Sequence, residues 1–147
     1  MHHDQQAVRD VLDALALAVH AGDARAAIAT YTDDVIAYDL APPLVQPSAM
    51  VRDRAGLEQW FATWHGPVRI EAGDITVEVE GNLAVAWSLR HMTGVKGGGG
   101  AQSLWFRSTA VLRREDREWR IAHIHDSVPF AMDGSGKALL ELTPEEQ

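Results

Sequence analysis

Between residues 102 and 130 the chain alternates apolar and polar positions in two arms, separated by the charged run Arg113-Arg114-Glu115-Asp116-Arg117-Glu118. Side chains of a strand point to alternate faces, so this pattern predicts two strands, 102–114 and 118–130, joined by a tight turn. Trp105, Arg107, Thr109 and Val111 share one parity in the first arm. Trp119, Ile121, His123, His125 and Ser127 share one in the second. Turn length decides which faces coincide. A three-residue loop, Glu115-Asp116-Arg117 with Arg117 left-handed, pairs Arg114 with Glu118 and sets Thr109 against His123, Arg107 against His125 and Trp105 against Ser127. A two-residue loop moves the pairing by one and sends the two polar sets to opposite faces. The three-residue loop is the expectation adopted, and the face it assembles needs partners for its polar groups if it leaves water. Two explanations stay open: these groups satisfy one another and nearby carbonyls or sit in a subunit interface, or they line a ligand pocket.

Leu104, Phe106, Ala110, Leu112, Ala122, Ile124 and Val128 take the other parity. Assigned to the outer face, they are too apolar to leave in water and predict a homodimer through that face.

Upstream, Val8, Val11, Leu12, Leu15 and Val19 step by three or four from the plausible N-cap Asp4, which predicts a helix closed by Gly22. Asp23 caps a second short helix carrying Ala24, Ala27, Ile28 and Tyr31, ended by Asp33-Asp34 before a short strand from Val35. That strand runs through Tyr38 and Asp39 into Ala41-Pro42-Pro43, where two prolines prevent both helix and ladder pairing. Residues 41–52 read as an irregular loop. Asp53 caps a third helix with Leu57, Trp60, Phe61 and Trp64 on one stripe, a core stripe or a cavity wall. A strand from Val68 to Glu80, a Gly81-Asn82 turn and a strand from Leu83 to about Thr93 make a hairpin. Gly94 to Gly100 read as a mobile connection, and residues 131–147 as a tail on the surface.

At 147 residues the chain fits one domain, residues 1–147, with its core in 4–130. Helices gathered ahead of a mostly antiparallel sheet predict an α+β fold. The net charge of −8 repels nucleic acid and anionic membranes, so neither is expected as a partner. With no cysteine, disulfides and thiolate chemistry are out. The amino terminus lacks a signal-peptide pattern and no apolar run reaches membrane-spanning length, so the expected location is cytoplasmic. His2 and His3 are native or a tag remnant, and are expected to form a loose pair. His91, His123 and His125 lack a carboxylate at ligand spacing, so no metal site is assigned.

The segments Ala21-Gly22-Asp23 with Tyr31-Thr32-Asp33-Asp34, Tyr38-Asp39-Leu40-Ala41-Pro42-Pro43, Trp105-x-Arg107-x-Thr109 and Trp119 to Phe130 resemble the SnoaL-like proteins of the nuclear transport factor 2-like superfamily, which also contains ketosteroid isomerases. The resemblance implies a cone in which three N-terminal helices pack on a strongly curved sheet around a pocket, usually in a homodimer formed through the sheet's outer face. By it, Trp105, Arg107, Thr109, His123, His125 and Ser127 line or underlie the pocket, with Tyr38, His91, Trp60 and Trp64 as further ligand contacts. Asp39 falls where ketosteroid isomerases keep their general base; the alternative, which the residues favour, is a loop-capping carboxylate beside Pro42. Leu15 and Thr109 stand where that enzyme's oxyanion donors would be, so steroid isomerisation is not implied.

The expected function is binding of a small, mostly apolar molecule with a carbonyl or carboxylate, with cofactor-free acid–base catalysis of isomerase, cyclase or lyase type. Asp39 or His125 moves a proton, Arg107 stabilises negative charge and the tryptophans exclude water. The alternative is a non-catalytic binding or association module.

Overall fold

The helical periodicity of the first residues is realised as α1, His2–Ala21, which lays Val8, Leu12, Leu15 and Ala18 against a sheet. The computed structural model describes residues 2–145. His2 and His3 form the first turn of α1 instead of a loose pair ahead of it. Asp23 caps α2, Ala24–Ala29, by accepting from the Ala26 amide at 3.0 Å. β1, Tyr31–Tyr38, starts earlier than expected and contains the two aspartates. A short α3, Ser48–Val51, interrupts the expected loop before α4, Arg54–Ala62.

The predicted long strand after α4 is two, β2 Arg69–Ala72 and β3 Thr76–Glu80, and both pair with β4, Leu83–Lys96. Gly94 to Gly100 is no mobile linker: β4 runs to Lys96 and β5, Gly100–Glu115, begins at once, leaving a tight glycine turn. Gly94 is needed in the strand, because a Cβ there would meet the Trp64 ring at 2.9 Å. β6, Glu118–Ser127, completes a sheet ordered β1-β6-β5-β4-β2, with β1 parallel to β6 and the other pairs antiparallel. After it, Phe130 bridges to Ala138, folding the tail back on itself.

The turn between β5 and β6 corrects the expected register. Glu115 pairs with Glu118, and Asp116 and Arg117 have φ of 51° and 69°, as the two central residues of a type I′ turn require. The loop therefore has two residues, not three. Between Ile121 and His123 the strand then bulges, leaving Ala122 unpaired and moving the register by one more position. The observed partners are Arg107 with Ser127, Thr109 with His125 and Val111 with His123. The two shifts together restore the common parity of Arg107, Thr109, His123, His125 and Ser127, each two places from its expected partner.

Their face is the outer one, which is a second correction. Phe106, Ala110, Leu112, Trp119, Ile121 and Ile124 are buried, and all but Phe106 join the α1 residues in the main hydrophobic cluster. Arg107, Thr109 and His125 are exposed. Burial of apolar area, at roughly 25 cal/mol per Å², favours turning the richer apolar parity toward the helices, while the polar parity loses least in water. The set assigned above to a dimer surface is thus largely the core. Arg114 ties α1 to this frame through Asp4 at 2.7 Å and lies over the Trp119 ring at 5.0 Å.

Two consecutive left-handed residues, one a long arginine, carry backbone strain that Asn-Gly would not. Replacing Asp116-Arg117 by Asn-Gly should stabilise the fold by about 1 kcal/mol, read as a higher urea midpoint with unchanged slope. A drop in the midpoint would contradict the two-residue turn.

Candidate functional site

On the concave face, the inward parity of three neighbouring strands becomes polar at one end. β4 presents Ala84, Ala86, Ser88 and Arg90 in turn; β5 presents Ser108 beyond Ala110; β6 presents Asp126 beyond Ile124. Ser88 opposes Ser108 and Ser108 opposes Asp126, so the three form one row across the sheet, with Arg90 two residues further along β4.

Arg90 is only 6% exposed, and its Nε finds no hydrogen-bond partner. Asp126 Oδ1 and Trp64 Nε1 are likewise buried and unpartnered. Burial lifts the Asp126 carboxyl to a pKa of about 6, the Ser108 hydroxyl and the Arg90 charge draw it back, and the Asp39 charge adds to the rise. The Tyr31 phenol is raised well above its ordinary value, first by burial and then by Asp126 and Asp39, so it stays protonated at any physiological pH. Burial lowers the Arg90 guanidinium, against the pull of Asp126, Tyr31 and Asp13, yet it remains a cation. The concave face therefore brings together a titratable carboxyl, a cation, a neutral phenol and a hydroxyl.

The residues expected to form the site lie elsewhere. Arg107 Nε donates to Ser127 Oγ at 3.1 Å on the outer face. His91 Nε2 is 2.7 Å from Ser103 Oγ, and its ring stacks on Trp105 with centroids 4.6 Å apart. His123 Nδ1 is 2.7 Å from the Ile36 carbonyl, and Tyr38 meets the rings of His123 and His125 edge-on. The network described as one of two possibilities is close to this geometry, except that Arg107 pairs with Ser127 and not with His125. Thr109 points outward too, so the inward residue at that level of β5 is Ser108. Trp64 is buried at 8% exposure, packing edge-on against half-buried Trp60.

Asp39 stands between the two faces. One oxygen accepts from the Leu40 amide at 2.7 Å and the other from Gln46 Nε2 at 3.3 Å, the loop-capping role. It also lines, with Tyr38, His125 and residues 40–45, an open cleft of about 630 Å³. Its charge nonetheless reaches Asp126 and Tyr31. Among the described residues, no group of three or more His, Asp or Glu could hold a metal ion. Among the described residues, no helix is long and apolar enough to cross a membrane.

Tyr31, Arg90, Ser108 and Asp126 were not among the residues singled out from sequence. The signal was available: once the apolar parity is turned inward, Arg90, Ser108 and Asp126 are polar positions within it.

A family model for the SnoaL-like domain matches residues 8–131, and the chain belongs to that family. Its fold closely matches a nuclear transport factor 2-like protein of unknown function from Pseudomonas putida KT2440: TM-score 0.84, 29% identity, 98% of this chain and 99% of the other covered. A Streptomyces avermitilis protein provisionally described as a dehydratase of that family matches with TM-score 0.76 at 17% identity, over 88% of this chain and 99% of that one. A Novosphingobium aromaticivorans protein provisionally described as an aromatic ring hydroxylase matches with TM-score 0.73 at 21% identity, covering 97% and 94%. No match is found among curated proteins. The curved, mixed, unclosed sheet wrapped on helices is the fold these structures share.

A carboxyl whose folded pKa of about 6 exceeds its ordinary 3.8 contributes its full stability below pH 4 and loses it as the pH rises through 6. Asp126→Asn removes that loss. The variant should match the parent near pH 4 and exceed it at pH 8 by roughly 3 kcal/mol, at about 1.4 kcal/mol per tenfold change in proton affinity. Denaturant melts at the two pH values check this; equal stability at pH 8 would mean that Asp126 is not held out of water.

Proposed function

We propose that the concave face binds a small, mostly apolar molecule carrying an oxygen function, and that Asp126 and Arg90 perform acid–base chemistry on it without a cofactor. The observation that carries this reading is the set of three buried, unpartnered polar atoms, Arg90 Nε, Asp126 Oδ1 and Trp64 Nε1. Folded proteins satisfy nearly all such groups, and a ligand that does so gains both the hydrogen bonds and the relief of desolvated charge.

The chemistry follows from the residue types. A carboxylate with a pKa of about 6 is mostly ionised at neutral pH yet basic enough to accept a proton from carbon beside a carbonyl. The guanidinium stabilises the oxyanion that develops, and the Tyr31 phenol, kept neutral, is a second donor. Proton removal beside a carbonyl opens isomerisations, cyclisations and dehydrations alike, and the dehydratase description of the similar Streptomyces avermitilis structure is compatible with it. Arg107 and His125, expected above to be catalytic, act in this reading as outer-face structure, and Asp39 as a charge that raises the basicity of Asp126.

The outer face supports a second element of the reading, a homodimer. Ile36, Tyr38, Trp87 and Leu89 leave about two fifths of their surface exposed on it, an apolar set of different composition from the one expected.

Two outcomes are expected. In thermal-shift screens against small ketones and enones, the parent should be stabilised by at least one compound, and Arg90→Met should lose that response, because the hydrogen bond its guanidinium offers is gone. A parent that responds to no compound, with a variant that melts far lower, favours the association module. In light scattering the parent should have twice the chain mass and Trp87→Arg a single chain mass; a monomeric parent at micromolar concentration contradicts the dimer.

A further inference from the structure

We propose that the concave site selects a neutral carbonyl compound over a carboxylate, because among the described residues its one guanidinium is already compensated by two carboxylates, Asp126 and Asp13, and Asp126 Oδ1 is itself buried in the site without a partner. This rests on the reading of that face as a ligand site and narrows the ligand class it takes.

Charges come from β4, β6, α1 and the end of β1, while β5 and the start of β1 add the neutral Ser108 and Tyr31. Arg90 on β4 faces Asp126 from β6, Tyr31 from the start of β1 and Asp13 from α1. Asp126 faces Ser108 from β5 and Asp39 from the end of β1, besides Arg90. Tyr31 feels the same Asp126, Asp39 and Arg90. Arg90 is the cation of this set. It is nearly fully buried with Nε unpartnered, so it has a hydrogen bond to offer but little uncompensated positive charge.

A ketone oxygen takes that hydrogen bond and brings no charge. A carboxylate would be another anion beside ionised Asp126, in surroundings where like charges are poorly screened. It enters with least opposition when Asp126 is protonated, so each carboxylate bound above the carboxyl's own titration carries one proton in with it. Its affinity then falls about tenfold for each rise of one pH unit, while that of the ketone stays level.

Matched probes separate the cases: benzoate against acetophenone and 2-naphthoate against 2-acetonaphthone, titrated calorimetrically at pH 6 and pH 8. Phosphate and Tris, which differ in heat of ionisation, report the protons taken up. The ketones should bind with dissociation constants within about threefold at the two pH values and no proton uptake. The carboxylates should weaken by at least about tenfold between them, with close to one proton taken up at pH 8. Asp126→Asn should remove that dependence and tighten carboxylate binding at pH 8. Carboxylates that bind at pH 8 as tightly as the ketones, without proton uptake, would overturn the selectivity while leaving the ligand site standing. Failure of both series at either pH would overturn the ligand site and the selectivity with it.

Discussion

The phase of β6 is the constraint on which the rest depends. Its first inward residues, Trp119 and Ile121, have odd numbers, and its later ones, Ile124 and Asp126, have even numbers; the change falls at unpaired Ala122. Without the bulge, the two-residue turn alone would set Asp126 against Arg107 on the outer face and turn His123 and His125 inward. One extra residue therefore decides which titratable groups lie on the concave face. It also fixes the parallel pairing with β1, where Ile36, Ala37 and Tyr38 follow His123, Ile124 and His125 in step.

Much of the fold was legible because it rests on local rules. The first helix, the Asp23 cap, the Gly81-Asn82 hairpin and the succession of long strands follow from periodicity and turn chemistry, and the family resemblance supplied their arrangement. The glycine run misled because four glycines in a row look like a linker, whereas the strands flanking them continue through Gly94 and Gly100. The short α3 lies where prolines and a lone serine give no periodic signal.

The site was much less legible, and the reason is physical. Alternation tells which residues share a face but not which face turns inward, and a single bulge inverts the answer for half a strand. Preferring the polar parity as the pocket wall required the apolar parity to find a partner elsewhere. The molecule takes the cheaper course, burying Phe106, Ala110 and Leu112 beneath its helices. Arg107 and the three histidines then meet their needs locally, through Ser127, Ser103, the Ile36 carbonyl and the rings of Tyr38 and Trp105.

Along the inward parity there is a gradient from closed and apolar to polar. At one end Leu112, Trp119 and Ala84 pack with Val8, and the N-terminal half of α1 is tied down by Arg114 to Asp4 and by Arg9 to the Ile75 carbonyl at 3.1 Å. At the other, Ser88, Ser108, Asp126 and Arg90 occupy the positions that would otherwise continue the core. A domain that needed only stability would fill those positions with apolar side chains, since replacing a buried charged pair by well-packed hydrophobes is commonly neutral or stabilising. Holding a carboxyl at a pKa of about 6 and a guanidinium with an unpartnered Nε is a standing loss that the apolar end has to offset. Two such departures, Arg90 Nε and Asp126 Oδ1, stand at the same end of the concave sheet, where the apolar core gives way to polar side chains.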